Sequence, residues 1–286
     1  MILVIGATGK TGSQTVKHLL ARGASVRAFV RNPEKAAPLK EQGAELFVGD
    51  IADQTAVAKA LDGIESVMLT LPNGPNQLEW ELGVIKQAEA AGVKHLTYMS
   101  STESNADNPR RIPQVHVKAV EAIEASSLGW TILRPNFFMQ AIFGFAASVK
   151  ANDSFTFPAG DGTATMCDAR DIGEVAAIIL TGDGHIGKTY DLTGPDILSM
   201  HDVARLLTET LGRTIAYVPM SLDDFGAYLG KFLKSEWHNE GVVELMQEMS
   251  EEGGLKFKTE TLGELLGRPP RSLAQFITEH KAMYEG

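Results

Sequence analysis

Short apolar runs alternate with amphipathic stretches along the first two thirds of the chain. Residues 2–6 (ILVIG), 25–31 (SVRAFVR), 44–50 (AELFVGD), 66–71 (SVMLTL), 95–101 (HLTYMSS) and 130–135 (WTILRP) read as strands, and none shows the strict polar alternation of a half-exposed strand. Between them, residues 11–23, 55–63, 78–92 and 120–129 carry apolar positions at helical spacing, and each stretch ends at a glycine. Strands buried on both faces and joined by helices form a parallel sheet.

After Pro135 the rhythm loosens. Residues 137–148 are aromatic and apolar, 155–166 contain turn signals, 168–182 read as a helix with Asp168 or Asp171 near its start, and 189–194 as a short strand. Helical patterns then dominate, over 199–212, 221–233, 241–253 and 271–284. The expected fold is therefore α/β: a doubly wound parallel sheet with a smaller, mainly helical C-terminal lobe. The expected boundaries are residues 1–154 for the sheet domain, with 168–194 returning to it, and 155–167 plus 195–286 for the lobe. No repeat or low-complexity linker separates the two, so a shared interface is expected.

Composition narrows the partners. With 286 residues, 44% hydrophobic and 22% charged, the chain resembles an ordinary soluble protein. It has no apolar run of about 18 residues to suggest a membrane partner. The N-terminus enters ILVIG without a basic flank or cleavage site, so a cytoplasmic location is expected. A net charge of −10, from 26 basic and 36 acidic residues, argues against nucleic acid as a partner. The single cysteine, Cys167, excludes an internal disulfide and a multi-cysteine metal site, and no metal is expected. No segment announces an oligomer interface, which leaves monomer and homodimer as the two expectations.

GATGKTG, residues 6–12, carries the first chemical signal. A nucleotide-hydrolase loop needs four residues between its first glycine and its Gly-Lys-Thr, whereas Gly6 and Gly9 have two between them. Gly6-x-x-Gly9-x-x-Gly12 between a strand and a helix instead fits a dinucleotide pyrophosphate, held against backbone amides at the helix N-terminus. Where an acidic residue would bind the ribose of NAD, the second strand runs into FVRNPEK; Arg31 and Lys35 favour the 2′-phosphate, hence NADP(H) over NAD(H). The bland alternative is a solvated basic loop. Asp50, in GDIAD, either accepts from an adenine amine or caps the next helix. Thr70, Leu71, Pro72, Ser100 and Ser101 end the fourth and fifth strands, on the edge where open sheets bind ligands.

GATGKTG, FVRNPEKA, GDIAD, AAGVKHLTYMSS, EAIEASSLGWTILRPNFFMQ and LGRPPRSLAQFITEH together resemble the NmrA-like group of atypical short-chain dehydrogenase/reductases, over nearly the whole chain. The likeness is greatest to bacterial NAD(P)H-dependent quinone, azo-dye and triphenylmethane-dye reductases. It implies that Gly6, Thr8, Gly9, Lys10, Thr11 and Gly12 bind pyrophosphate, Arg31 the 2′-phosphate, and Asp50 with Ile51 the adenine. It also implies a Rossmann-type domain with a small C-terminal substrate lobe: Leu71 and Pro72 would pack by the nicotinamide, and Pro135, Asn136 and Phe137 would line the nicotinamide and the substrate pocket, while Ser100 lies along the cofactor by its place at a strand end.

The Tyr-x-x-x-Lys pair of ordinary short-chain dehydrogenases is missing. In RRIPQVHVKAVEAIE its two positions fall on Ile112 and His116, or on Gln114 and Lys118 in a register shifted by two. A strongly electrophilic, quinone-like or aromatic acceptor tolerates this absence, because hydride transfer to it needs positioning more than a protein acid. His116 then becomes the candidate catalytic residue, with an unperturbed imidazole titrating near ~6.5. Its other reading is a helix histidine bonded to the nicotinamide ribose or to backbone. Trp80, Phe137, Phe138, Met139 and Phe143 could wall a flat substrate or pack the interface between the lobes. The rival to a reductase is a non-catalytic NADP(H)-sensing regulatory protein.

Overall fold

The structure is a computed structural model and describes residues 1–251 and 255–285. Its strands are β1 (Ile2–Ile5), β2 (Val26–Val30), β3 (Glu45–Val48), β4 (Ser66–Leu69), β5 (His95–Met99), β6 (Gly129–Pro135), β7 (Ser154–Phe157), β8 (Thr163–Ala164), β9 (Lys188–Leu192), β10 (Leu198–Ser199) and β11 (Ala216–Pro219). Its helices are α1 (Lys10–Ala21), α2 (Ala37–Glu41), α3 (Gln54–Ala60), α4 (Gln77–Ala90), α5 (Arg111–Ala125), α6 (Ala146–Asn152), α7 (Ala169–Thr181), α8 (Met200–Leu211), α9 (Leu222–Leu229), α10 (Glu236–Ser250), α11 (Thr261–Leu266) and α12 (Leu273–Glu279).

Seven strands pair in parallel in the order β3-β2-β1-β4-β5-β6-β9. This is the doubly wound Rossmann-type sheet that the apolar runs predict. Strand alternation divides the core. Val4, Met68 and Leu133 pack with Val16 and Leu19 of α1 and with Ile172, Val175 and Ile179 of α7. Leu3, Leu69 and Tyr98 face the other way, onto Val57 of α3, Val84 and Ile85 of α4, and Ile123 of α5. Each fully buried aliphatic side chain contributes about 1.5–3 kcal/mol.

The helix α5 begins nine residues earlier than the pattern from Val120 predicts. Pro113 and the flanking valines weaken the helical signal there, yet a proline in the first turn forfeits no intrahelical hydrogen bond. The helix expected over 241–253 starts at Glu236, and residues 252 and 253 of that expectation lie outside the described residues. In place of one helix over 271–284, α12 ends at Glu279 and a 3-10 turn follows over Lys281–Met283.

The second lobe has its own core, in which Met139, Phe145, Phe155, Phe157, Met200, Leu207, Met249 and Phe276 are buried. Two short sheets stiffen it, β7 with β11 in parallel and β8 with β10 antiparallel. Charged clamps attach it to opposite faces of the main sheet. At the start of α5, Arg111 pairs with Glu240 and Glu244, while Arg110 pairs with Glu248 and Glu251. At the start of α7, the buried Asp171 receives Arg268 at 2.8 Å, the Arg271 guanidinium, and the Arg271 backbone N–H at 2.7 Å. Among the described residues, no helix is long and apolar enough to cross a membrane.

Candidate active site

The turn after β1 is shaped by close backbone approach. Gly6 has φ +82°, a conformation that strains any side chain, and a Cβ there would fall 2.0 Å from the Thr70 carbonyl oxygen. A Cβ on Gly12 would meet the Gly6 carbonyl oxygen at 2.2 Å. Gly9 N–H donates to that same carbonyl at 2.9 Å, closing the turn. No side chain caps α1 and no acidic residue occupies its first turn. The loop therefore offers uncapped amides at the positive end of a helix, with Thr8, Gly9 and Lys10 exposed and Thr11 buried.

Arg31 is exposed immediately beyond β2 and makes no ion pair among the described residues; Lys35 is also exposed nearby. The cap of α3 is Asp53, whose carboxylate accepts from Thr55 and Ala56 N–H. Asp50 bonds only the nearby Ala52 N–H, at 3.0 Å, so the capping alternative passes to its neighbour and the exposed Asp50 keeps acceptor capacity beside the buried Ile51.

At the ends of β4 and β5, Leu71 is half-buried and Pro72 exposed, and Ser100 is buried with no hydrogen-bond partner for its hydroxyl. A buried orphan hydroxyl on the ligand edge of a sheet is a position that a bound polar group satisfies. Ser101 turns aside, its hydroxyl 2.7 Å from that of Ser104. After β6, Pro135 is buried, and Asn136 is wholly engaged. Its amide donates to Thr102 Oγ1 and the Leu255 carbonyl, both at 3.2 Å, and its oxygen accepts the Phe137 N–H at 2.7 Å. Asn136 thus ties the strand ends to the second lobe. Beside it, a cavity of about 190 Å³ is lined by Thr102, Glu103, Arg134, Leu255 and Phe257, and burial holds the Glu103 carboxyl above its ordinary range.

The aromatic residues after β6 divide between core and crevice. Met139 is 1% exposed inside the lobe core, and Phe143 stacks on Phe276 at 5.1 Å. Phe138 packs toward the α1–α7 face and Trp80 toward the α3–α4 face. Phe137 is half-buried at the strand end, meets Phe157 edge-to-face at 6.0 Å and packs against the lobe core. Cys167 is buried and its thiol, pushed up by desolvation, donates to the Asn136 carbonyl, which makes it a packing residue.

His116 lies on the second turn of α5, buried, with Ile112 one turn before it and also buried. Lys118 points outward, and Gln114 holds the preceding loop by donating to the Asn108 carbonyl at 2.6 Å. His116 Nδ1 is 2.7 Å from the Tyr98 hydroxyl, which is 3.0 Å from Glu81 Oε2; the Gln77 amide donates to Glu81 Oε1 at 3.0 Å. Gln77, Glu81 and Tyr98 are fully buried. Desolvation moves the titrating groups apart, Glu81 up to about 7 and His116 down to about 4. The sequence expectation of an imidazole near 6.5 is thereby corrected: burial without a charged partner keeps this ring neutral.

Tyr98 and Glu81 are not visible as a motif, since the tyrosine is sought four residues before a lysine. Their available signal is weaker. Gln77 and Glu81 share a helix face at i, i+4, and Tyr98 has the strand parity that faces that helix.

A doubly wound sheet with a glycine-shaped loop, uncapped helix and open strand edge defines a Rossmann-type dinucleotide-fold protein. The NmrA-like family model matches residues 1–259, and the chain belongs to that family. It is 31% identical to an NAD(P)H azoreductase of Xenophilus azovorans, over 99% of each chain. It is 29% identical to quinone oxidoreductase 2 of Escherichia coli, over 97% of this chain and 98% of that one. The solved NADPH-dependent quinone oxidoreductase of Escherichia coli, complexed with NADPH, superposes with a TM-score of 0.88 at 28% identity, covering 98% of this chain and 100% of that one. A Citrobacter sp. triphenylmethane reductase complexed with NADP(H) gives 0.86 at 27%, covering 98% and 99%.

Proposed function

We propose that this protein is an NADPH-dependent oxidoreductase that reduces an electrophilic, aromatic or quinone-like acceptor without a Tyr-x-x-x-Lys pair. The observation that carries the reading is the crevice at the carboxyl edge of the sheet. There the uncapped amides of α1, the unpaired Arg31 and the orphan Ser100 hydroxyl lie along one line of strand ends. These groups fit a dinucleotide bearing a 2′-phosphate: Gly6 to Gly12 hold pyrophosphate, Arg31 the 2′-phosphate, Asp50 and Ile51 the adenine. Leu71, Pro72, Pro135 and Phe137 flank the nicotinamide side, while Asn136 fixes the loop that carries Phe137. When bound, NADPH supplies a hydride.

The acceptor class rests on two supports. Relatives across the full length are named for azo, quinone and triphenylmethane reduction. The positions where a carbonyl reductase would place its acid pair hold buried Ile112 and a neutral His116 in one register, or Gln114 and the exposed Lys118 in the register shifted by two, and neither supplies a tyrosine. An acceptor that delocalises the arriving electrons needs the ordered, dry edge more than a tyrosinate. The purified protein, saturated with NADPH, is expected to oxidise it in the presence of a benzoquinone, an azo dye or a cationic triphenylmethane dye. Tight NADPH binding with turnover of none would assign the chain to the regulatory class.

A further inference from the structure

Gln77, Glu81, Tyr98 and His116 form a continuous buried chain between α4, β5 and α5, all at the carboxyl edge of the sheet. Its hydrogens have two consistent arrangements. With Glu81 ionised, the carboxylate only accepts, so Tyr98 donates to it and His116 must donate from Nδ1; Nε2 is then bare. With Glu81 protonated, its O–H donates to Tyr98, Tyr98 donates to Nδ1, and the ring hydrogen sits on Nε2. Nε2 has no hydrogen-bond partner among the described residues and the residue keeps 7% exposure, so Nε2 is the ring nitrogen left free to meet a ligand. The tautomer of His116 is coupled to the protonation of a carboxyl that it does not touch.

We propose that Glu81, Tyr98 and His116 are a proton relay that stores one proton on the protein and releases it at His116 Nε2 to the oxygen or nitrogen of the acceptor made basic by reduction. The inference rests on the reductase reading. In the transfer, the Nε2–H bond breaks as the acceptor's new O–H or N–H bond forms; Nδ1 takes the Tyr98 hydrogen, and Tyr98 takes the Glu81 hydrogen. The negative charge ends on Glu81; between turnovers water returns a proton to Nε2 as the Nδ1 hydrogen passes to Tyr98 and the Tyr98 hydrogen to the buried Glu81. Electrons are supplied only by the NADPH hydride. No imidazolium appears at any stage, and so a ring whose burial lowers its basicity to about 4 still delivers a proton near neutrality.

Only this chain's members act on Glu81: Gln77 from its own helix and Tyr98 from β5. The charged residues of the adjoining helices, Lys59 on α3 and Lys118, Glu121 and Glu124 on α5, are exposed, and Arg111 is held by Glu240 and Glu244. His116 catalyses directly, whereas Tyr98 and Glu81 act through it.

The first test uses the protein without cofactor, with ¹⁵N-labelled histidine, from about pH 5 to about pH 9. The His116 ring is expected to stay neutral and to move its hydrogen from Nε2 to Nδ1 with a midpoint set by Glu81, near 7. Glu81→Gln and Tyr98→Phe should each abolish that midpoint. One tautomer across the range, or a midpoint unchanged in Glu81→Gln, would overturn the relay. The second test compares acceptors. A quinone or azo bond takes up a proton with the hydride, whereas a cationic triphenylmethane dye becomes neutral by hydride addition alone. In both variants the quinone-to-dye turnover ratio should fall on the order of 10²-fold, and an unchanged ratio would also overturn the relay. Loss of turnover with every acceptor in the wild type would sink the reductase reading, while the tautomer swap would be judged independently.

Discussion

Replacing Gly12 with alanine isolates the shape of the dinucleotide loop from its charges. The new Cβ would lie 2.2 Å from the Gly6 carbonyl oxygen, 2.8 Å from its carbon and 3.2 Å from Ala7 Cα. All three are backbone atoms, so no rotamer change relieves the contact. The Gly6 carbonyl must withdraw by about 1 Å, at an overpacking cost of about 1–3 kcal/mol. Alanine's helix propensity returns about 1 kcal/mol. The net loss of up to about 2 kcal/mol lowers Tm by up to about 6 °C. The same carbonyl closes the turn with Gly9 N–H, so the amides aimed at pyrophosphate shift with it, and NADPH Kd should rise at least about tenfold, or about 1.4 kcal/mol. Scanning calorimetry with and without NADPH reads both quantities. Gly144→Ala is the control, since its added Cβ meets nothing within 4 Å. A Gly12→Ala protein with wild-type Tm and wild-type NADPH affinity would refute the geometry.

Arg31→Asp should raise the Kd for NADPH at least about tenfold relative to NADH, since charges about 4 Å apart interact by about 1–4 kcal/mol between bulk water and a protein surface; equal losses would remove Arg31 from the 2′-phosphate. Stability against pH tests the buried pair. Glu81, raised from 4.5 to about 7, adds stability that is complete below 4.5 and lost as pH rises through 7. His116, lowered from 6.5 to about 4, adds stability that is present above 6.5 and lost as pH falls through 4. Each amounts to about 3 kcal/mol, and the opposed slopes should cancel over most of the shared window. In Glu81→Gln, stability from urea midpoints should instead climb by about 3 kcal/mol from pH 4 to pH 6.5; a curve parallel to the wild type would contradict this. Asp171→Asn leaves Arg268 and Arg271 without their buried carboxylate, and should cost about 3 kcal/mol and speed proteolysis beyond Gly267. A wild-type Tm would show that the clamp is dispensable.

Local signals made much of the main sheet legible. The runs from ILVIG to WTILRP all lack strict polar alternation, although β3, at the sheet edge, leaves Glu45 and Val48 exposed, and GATGKTG needs its glycines for contacts formed largely within its own turn. The partner of a late strand is different. TYDLTG reads as a strand, but only assembly shows that Lys188–Leu192 pairs with β6. The strand β11 pairs with β7 across 60 residues of chain, and neither short segment has a pattern long enough to announce itself. The buried relay was illegible for the same reason. Glu81, Tyr98 and His116 are 17 and 18 residues apart, and their chemistry exists only where α4, β5 and α5 converge. LGRPPRS was readable as a motif but not as a clamp, because its carboxylate partner lies about a hundred residues earlier.

Gly173 gives the fold a mechanical property. A Cβ there would fall 2.4 Å from Gln14 Cβ, so α7 lies flush against α1 and the two helices form one stiff beam. One tip of that beam carries the glycine loop proposed to hold pyrophosphate, and the first turn of the partner helix carries Asp168 and Asp171, the moorings of Arg170 and of the chain's last arginines. Binding free energies coupled through such a body are reciprocal. Trimming the sequence after Gly267 should weaken the grip on a dinucleotide held at the N-terminus of α1, and a bound dinucleotide should in turn slow protease attack on the tail.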